Sequence, residues 1–386
     1  MPTGTTDLIE EFQRRWEGTP RLYRAPGRVN LIGEHTDYND GFVMPAALEF
    51  ATTTAILPRD DRKVRVHSLA LSETAEFDLD QADPKPRRDW TDYVRGVALM
   101  LERAGHRLRG ADLMLHSSVP LGAGMSSSAA LEVSVGYALL AESGLPIDLI
   151  DLARRCQEAE NGFVGMRCGV MDQFISCHGV AGHAVLLDCR SLDFRPVPVD
   201  PRARLVICNT MVHHQLAGSE YNLRRQDCER GVELLSPALG PIRALRDVSL
   251  AQLERHADRL PEVTYRRCRH IVTENARVLE AATALENGDL HRFGRLMIES
   301  HESMRDDYQI SCRELDVMVA LSLPLPGVYG ARMTGGGFGG CSVSLVDADA
   351  VGHFMKSIAE AYREATGIVP AIFTCVPGSH VDAVKP

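Results

Sequence analysis

Two carboxylates and an imidazole fall within four consecutive positions, Glu34, His35, Thr36 and Asp37, in a polar stretch that opens at Arg24 and ends at Tyr38. That mixture of acceptors and donors is what sugar hydroxyls need. A solvated loop can carry the same composition, but Val29, Leu31 and Ile32 anchor this one against a core, which makes a positioned binding loop the better reading. A second stretch, Pro120-Leu121-Gly122-Ala123-Gly124-Met125-Ser126-Ser127-Ser128-Ala129-Ala130, precedes an apolar run. Its glycines let backbone N–H groups approach phosphate oxygens, the helix expected to follow points its positive end at them, and the serines add hydroxyl donors and a possible magnesium ligand. No Gly-Lys-Ser/Thr is present, so this is not a Walker A loop, and an ordinary turn with a helix cap remains the alternative.

Two further acids follow. Glu160 stands four residues after Cys156, itself four after Leu152, so it lies on the helix face that otherwise buries itself. A buried carboxylate without a partner costs several kcal/mol, which implies a cation there. Magnesium suits, since it takes one or two carboxylates together with phosphate oxygens and water. The competing account is a helix end near Asn161-Gly162 at which Glu160 reaches solvent. Asp172 sits alone in the apolar segment 168–176, as a functional acid or as a helix cap. Finally, Gly335, Gly337 and Gly340 match G-x-G-x-x-G, but a strand pattern follows where a dinucleotide site needs a helix. What remains is a glycine loop closing on another loop's ligand, or a tight hairpin. H-E-x-x-H and G-x-S-x-G are absent, and His213-His214 lacks a third ligand at metal spacing.

The elements that must hold these residues are visible as patterns. Leu8, Ile9, Phe12 and Trp16 predict a helix over 7–16, and 21–24 reads as a short strand stopped by Pro26-Gly27, with a long loop opening at Gly27. Further strands are expected at 41–45, 51–56, 64–67 and 111–117. A helix then covers about 129–140, and Asp148 caps the next, with Asp151 at capping-box spacing. Beyond 200, a strand at 205–208 leads to several helices over 219–321, and strands at 341–346 and 371–376 flank a helix at 351–365. Strands and helices in both halves predict an α+β fold.

Composition bounds the rest. At 386 residues, two domains with a cleft are the default. The net charge of −10, without long single-sign runs, argues against a nucleic-acid partner, and ATP would need a local positive or dipolar site. No apolar run is long enough to span a bilayer, the start lacks a basic region followed by an apolar one, and the ten cysteines form no C-x-x-C pair. A cytoplasmic protein with reduced cysteines and no membrane partner is expected.

In order and separation, the segments 26–38, 120–130 and 334–341 resemble the three motifs of the GHMP kinases, and 27–38 resembles the signature of the galactokinase family. The likeness extends to Leu187-Asp188-Cys189-Arg190-Ser191 and Gly218-Ser219-Glu220-Tyr221. It implies the two-domain GHMP kinase fold, 1–200 carrying the sugar and phosphate loops and 201–386 the glycine loop at 335–340, with the active site in the cleft. It further implies transfer of the γ-phosphoryl group of ATP to the C1 hydroxyl of galactose, the first committed step of galactose metabolism. Glu34, His35, Thr36, Asp37, Gly169 and Tyr221 would contact the sugar. Gly122, Ala123, Gly124, Met125, Ser126, Ser127 and Ser128 would cradle the ATP phosphates, with Ser128 and Glu160 on Mg2+. Asp172 would be the catalytic carboxylate and Arg28 the cation beside it. Galactokinases show an aromatic-x-Asn-Tyr segment near the base, where this chain has Trp90-Thr91-Asp92-Tyr93. Small-molecule partners and a monomer are expected. The alternatives are a related sugar kinase, which the acid Glu34 opposes for galacturonate, or a non-catalytic sugar sensor, which the intact Ser127-Ser128-Ala129 opposes.

Overall fold

The structure, a computed structural model, describes residues 5–120, 124–213 and 217–384. Its largest sheet has six strands, in the order Asp382–Ala383, Arg21–Asn30, Pro45–Pro58, Ala111–Ser117, Lys63–Ser68 and Glu73–Asp78. All neighbours are antiparallel except Lys63–Ser68 against Ala111–Ser117. Alternate strand residues point to opposite faces, and each face has its own cover. Tyr23, Ile56 and Leu113 share a core with helices Thr91–Arg103, Ser127–Glu142, Leu149–Ala159 and Met171–His178. Their neighbours Leu22, Ala55 and Met114 meet Leu8, Phe12 and Trp16 from the N-terminal helix Thr5–Arg15 and its end.

A second sheet runs Val328–Thr334, Gly339–Asp347, Ala203–His213, Ala371–Cys375, antiparallel throughout. Val206 and Cys208 pack with helix Val351–Thr366, while Leu205 and Ile207 face helices Glu262–Glu286 and Leu290–Ser303. The latter core also takes in Val29, Leu31 and Ile32, the apolar anchors of the polar loop, and Met125 of the glycine-serine segment. A small third sheet joins Phe42–Val43, His183–Asp188 and Phe194–Pro198. This is the α+β arrangement expected. All ten cysteines are free, and among the described residues no helix is long and apolar enough to cross a membrane.

The first strand runs further than its sequence suggests. Instead of stopping at Pro26-Gly27 it continues to Asn30, with a register shift between Pro26 and Arg28 against its partner. Proline has no N–H for the ladder, and an irregularity of this kind is where a sheet accommodates one. Gly27 has no room for a side chain, since a Cβ would lie 2.6 Å from the Met125 carbonyl oxygen. That same oxygen accepts the Arg28 N–H at 3.1 Å, so the bulge delivers Arg28 to the glycine-serine segment. Asp148 does cap its helix, accepting from the Ile150 and Asp151 N–H groups, but Asp151 turns to Arg155 instead of completing a capping box.

The polar loop is held from below by a carboxylate that sequence reading passed over. Glu274, fully buried on helix Glu262–Glu286, accepts from the Gly33 N–H at 2.9 Å, the Ser300 hydroxyl at 2.6 Å and Arg277 Nε at 2.7 Å. Burial pushes its pKa up, but Arg277, His270 and Arg332 together outweigh this and hold it at about 2. Because the folded value lies below the unfolded one, Glu274 stabilises the fold above about pH 4 and loses that contribution as pH falls towards 2. Glu274→Ala is expected to lower the unfolding free energy by about 3–5 kcal/mol at neutral pH, as for other broken buried ion pairs. Urea denaturation should show that difference shrinking in acid; an unchanged midpoint at neutral pH would remove the role assigned to Glu274.

Candidate active site

A cavity of about 240 Å3 is lined by Arg28, Glu34, His35, Asp37, residues 124–128, Glu160, Gly169, Asp172, Tyr221 and Gly335-Gly336. It gathers every described residue that the sequence singled out for sugar, phosphate or magnesium, with one exception. Thr36 is buried below the loop, its hydroxyl 2.9 Å from the Gly33 carbonyl and 2.6 Å from that of Phe42. A single hydroxyl proton shared between two backbone acceptors closes the loop on itself, so Thr36 shapes the sugar loop without reaching the cavity. Gly122 and Ala123 lie outside the described residues.

Arg28 and Asp172 form a two-pronged ion pair at the cavity wall. Arg28 Nε donates to Asp172 Oδ1 at 2.8 Å and Nη2 to Oδ2 at 2.7 Å, the fork-on-carboxylate geometry that adds direction to charge. Arg28 is buried while the Asp172 side chain keeps 26% of its surface exposed, so the pair presents its acid side to the cavity. Burial disfavours the Arg28 cation, but Asp172, followed by Glu34 and Asp37, more than restores it. Asp172 is not a helix cap: helix Met171–His178 has no side-chain cap, and Ser176, one turn on from Asp172, donates its hydroxyl to the Pro26 carbonyl at 2.8 Å. Two residues on one helix face thereby grip the first strand on either side of its bulge.

Arg28 Nη1 also donates to the Gly124 carbonyl at 2.5 Å, and the Ser126 hydroxyl donates to Asp172 Oδ2. Ser126 adopts a left-handed conformation with no side-chain cap, so the 16-residue helix Ser127–Glu142 starts in the cavity with its first N–H groups uncapped by side chains. Such an end carries partial positive charge and suits phosphate oxygens. The glycine run closes from the opposite side. Residues 335–338 connect strands Val328–Thr334 and Gly339–Asp347, so the hairpin alternative is correct as well, and a Cβ at Gly335 would stand 3.2 Å from the Gly124 carbonyl.

In the polar loop, Glu34 accepts from Asn30 Nδ2 and from the Gly335 N–H, each at 2.7 Å, and lies 3.4 Å from fully buried Arg332. Burial raises its pKa above the ordinary value, against the pull of Arg332 and Arg28. His35 is driven down to about 3 by burial, then by His270, and is therefore neutral. Its Nε2 faces the Gly336 carbonyl at 3.3 Å; a carbonyl can only accept, so Nε2 carries the proton and Nδ1 accepts from the Tyr38 hydroxyl at 2.6 Å. Asp37 accepts the Tyr38 N–H at 3.0 Å, and burial followed by repulsion from Asp172 pushes it up to about 7.

The family description "Galactokinase galactose-binding signature" matches residues 10–58, "GHMP kinases N terminal domain" matches 92–180 and "GHMP kinases C terminal" matches 281–364. A galactokinase from Chloroflexus aurantiacus is 52% identical over 98% of this chain and 97% of its own, and one from Roseiflexus sp. is 50% identical over 96% and 95%. The chain belongs to the galactokinase family. The crystal structure of Lactococcus lactis galactokinase complexed with galactose superposes with a TM-score of 0.94 at 35% identity, covering 98% of this chain and 99% of that one. Methanococcus jannaschii mevalonate kinase, at 16% identity and a TM-score of 0.66 over 94% and 100%, shares the fold.

Two more features follow from the galactokinase frame. Asp92, which departs from the family's asparagine, is buried with its carboxylate accepting from the Arg87 and Arg88 N–H groups and from Arg95. It organises the chain before its own helix. The neighbouring Trp90 and Tyr93, by contrast, line an apolar cavity of about 220 Å3 that adjoins Ser127 and Ser128. Glu160 is buried as its helical spacing predicts, at the junction of Leu149–Ala159 with a wider turn at Glu160–Val164. Sequence reading missed what surrounds it. Gln173 Nε2 donates to Glu160 at 2.6 Å and to fully buried Glu132 at 2.9 Å, and Glu132 Oε1 has no partner among the described residues. Burial pushes both glutamate pKa values up, and the two carboxylates repel each other. Glu132 is visible in the sequence only as the lone acid in the apolar helix that follows the serines.

Gly169 gives the sharpest test of this geometry. A Cβ there would lie 2.0 Å from Asp37 Oδ2, an impossible approach. Gly169→Ala is expected to push Asp37 aside and raise the KM for galactose at least about ten-fold, in line with losing a buried polar contact, while leaving the KM for ATP nearly unchanged. Steady-state kinetics with each substrate varied would decide it; a change confined to ATP would place Gly169 elsewhere.

Proposed function

We propose that this chain transfers the γ-phosphoryl group of ATP to the C1 hydroxyl of α-D-galactose, giving galactose 1-phosphate and ADP. The observation that carries the reading is the paired Arg28 and Asp172 standing between a helix start suited to phosphate and a loop of sugar-binding polar groups, all on one cavity. Phosphoryl transfer through a loose transition state asks for alignment and charge neutralisation more than for a strong base. Asp172 orients the C1 hydroxyl and takes its proton as the new O–P bond forms. Three of the five Arg28 N–H bonds hold Asp172 and Gly124, which leaves two for an oxygen of the transferring group. Glu34, neutral His35, Asp37 and Tyr221 hold the sugar, and Gly169 leaves space for Asp37. The phosphates lie along 122–128. The purine takes the apolar cavity of Trp90 and Tyr93, and Asp92 supports this wall without touching the base.

The residues fit a magnesium ion carried with the nucleotide. Glu160, hydrogen-bonded by the Ser128 hydroxyl, shares a crowded acidic region with Asp172 and Glu132, where one carboxylate oxygen of Glu132 is unpartnered. Among the described residues no group of three or more His, Cys, Asp or Glu is placed as an all-protein cage, and magnesium in nucleotide sites takes most of its ligands from phosphate and water. Ser128 and Glu160 would hold it, and its charge would offset that of the phosphate oxygens. In the same reading the chain divides near residue 200, acts in the cytoplasm and needs no second subunit. A non-catalytic sensor is disfavoured by the complete Arg28, Asp172 and Ser126–Ser128 set on one cavity.

Galactose should elicit steady ADP release from ATP, and Asp172→Asn should lower kcat by about 10²- to 10⁴-fold with folding intact. Near wild-type turnover in that variant would show that Asp172 does not accept the proton. Asp37 supplies a pH signature. Its carboxylate is the form that accepts a sugar hydroxyl, and its pKa is pushed up to about 7, so kcat/KM for galactose should fall as pH drops below that value. Asp37→Asn should remove this acid limb; a limb that persists in the variant belongs to another group.

A further inference from the structure

A second cavity of about 280 Å3 adjoins the first and shares Asp37, Cys168 and Gly169 with it. Its chemistry is different, because Arg154, Arg190 and Arg225 all line it. Three guanidinium groups on one small concavity are unexpected in a chain of net charge −10. Internal pairing satisfies them only in part. Arg190 reaches Asp40 through Nε at 3.2 Å and Asp247 through Nη1 at 2.7 Å, and its buried Nη2 has no partner among the described residues. Arg225 holds Glu229 at 3.2 Å and the Arg167 carbonyl at 2.9 Å. Arg154, exposed on helix Leu149–Ala159, makes no ion pair among the described residues. The one other acid on this wall besides Asp37 is Asp40, and it is already shared between Arg190 and Arg243.

We propose that this cavity is a second anion site, separate from the phosphoryl-transfer centre, whose ligand presents a dianionic phosphate group. Arg154 lines the cavity without an acidic partner among the described residues, and a bound anion would supply the one that its guanidinium lacks. Converging guanidinium forks match the several oxygens and double charge of a phosphate better than a single carboxylate does. At about 280 Å3 the cavity has room for a small anion. A phosphate bound there would adjoin the first cavity through Asp37, Cys168 and Gly169.

Isothermal titration calorimetry on the full chain tests this, with galactose and a non-hydrolysable ATP analogue plus magnesium saturating so that the phosphoryl-transfer cavity is closed to the probes. Inorganic phosphate and glycerol 2-phosphate are the two probes. One site per chain is expected, weakened at least about ten-fold in Arg154→Glu through loss of a charge-assisted contact. In phosphate-free buffer the variant should keep kcat and both KM values within about two-fold of wild type, since Arg154 touches neither substrate. Tighter binding of the ester would identify an organic phosphate as the ligand, and tighter binding of inorganic phosphate the free ion; either supports the site. Absence of binding with the first cavity filled, the same affinity in Arg154→Glu, or equal binding of chloride at matched ionic strength would overturn it. If galactose and the analogue fail to bind in prior titrations, the kinase reading falls, and the Arg154→Glu comparison on the free chain still decides the anion site.

Discussion

The ion pair between Arg28 and Asp172 is the constraint around which the catalytic side of the molecule is arranged. A guanidinium buried to this degree is tolerable only with its carboxylate in place, since breaking such a pair costs about 3–5 kcal/mol. The pair is short and doubly bonded, so it fixes the strand carrying Arg28 relative to the helix carrying Asp172. The bulge at Pro26 and Gly27, the Ser176 bond to the Pro26 carbonyl and the Arg28 bond to Gly124 all serve that alignment. Moving any of them would separate the acid from the helix start beside it.

Around this pair the cavity is short of positive charge. Glu34, Asp37, Glu160 and Asp172 all line it, with Arg28 the cation among them. Arg332 offsets Glu34 from behind, and Gln173 offers one N–H to each of Glu132 and Glu160. The remaining repulsion shows in the raised pKa values of Asp37 and Glu160, each driven first by burial and then by Asp172. A site of this kind is poorly suited to a bare polyphosphate and well suited to one that arrives with a divalent cation.

Three segments far apart in the chain are joined at backbone level. The Asn30 N–H donates to the Thr334 hydroxyl, which donates in turn to the Asn30 carbonyl, and the Gly335 N–H donates to Glu34. Gly335 approaches Gly124 so closely that a side chain would press on its carbonyl. The sugar loop, the helix start and the glycine hairpin therefore form one unit, and the shared core of Ile32, Met125 and Cys341 lies with them.

Much of this was legible from residue types alone. Hydrophobic spacing located most helices and strands, because burial imposes a period of 3.6 or 2 on any element with one dry face. Helical spacing marked Glu160, an acid alone in an apolar run marked Asp172, and serines after glycines marked 122–128. What spacing cannot carry is a relation between distant segments. The strand beyond Pro26 was hidden because proline and glycine ordinarily end a ladder, and only pairing with 45–47 shows that this one continues. That the Thr36 hydroxyl turns to the Gly33 and Phe42 carbonyls was hidden too, since a hydroxyl has no sequence signature for the direction it faces. Glu274, Arg332 and Glu132 looked like ordinary helix or strand residues until packing removed their water. Residue order set which chemical groups were available and which faces had to be dry. Which charges share a cavity was settled by folding, because Coulomb and hydrogen-bond energies depend on distances that chain separation does not encode.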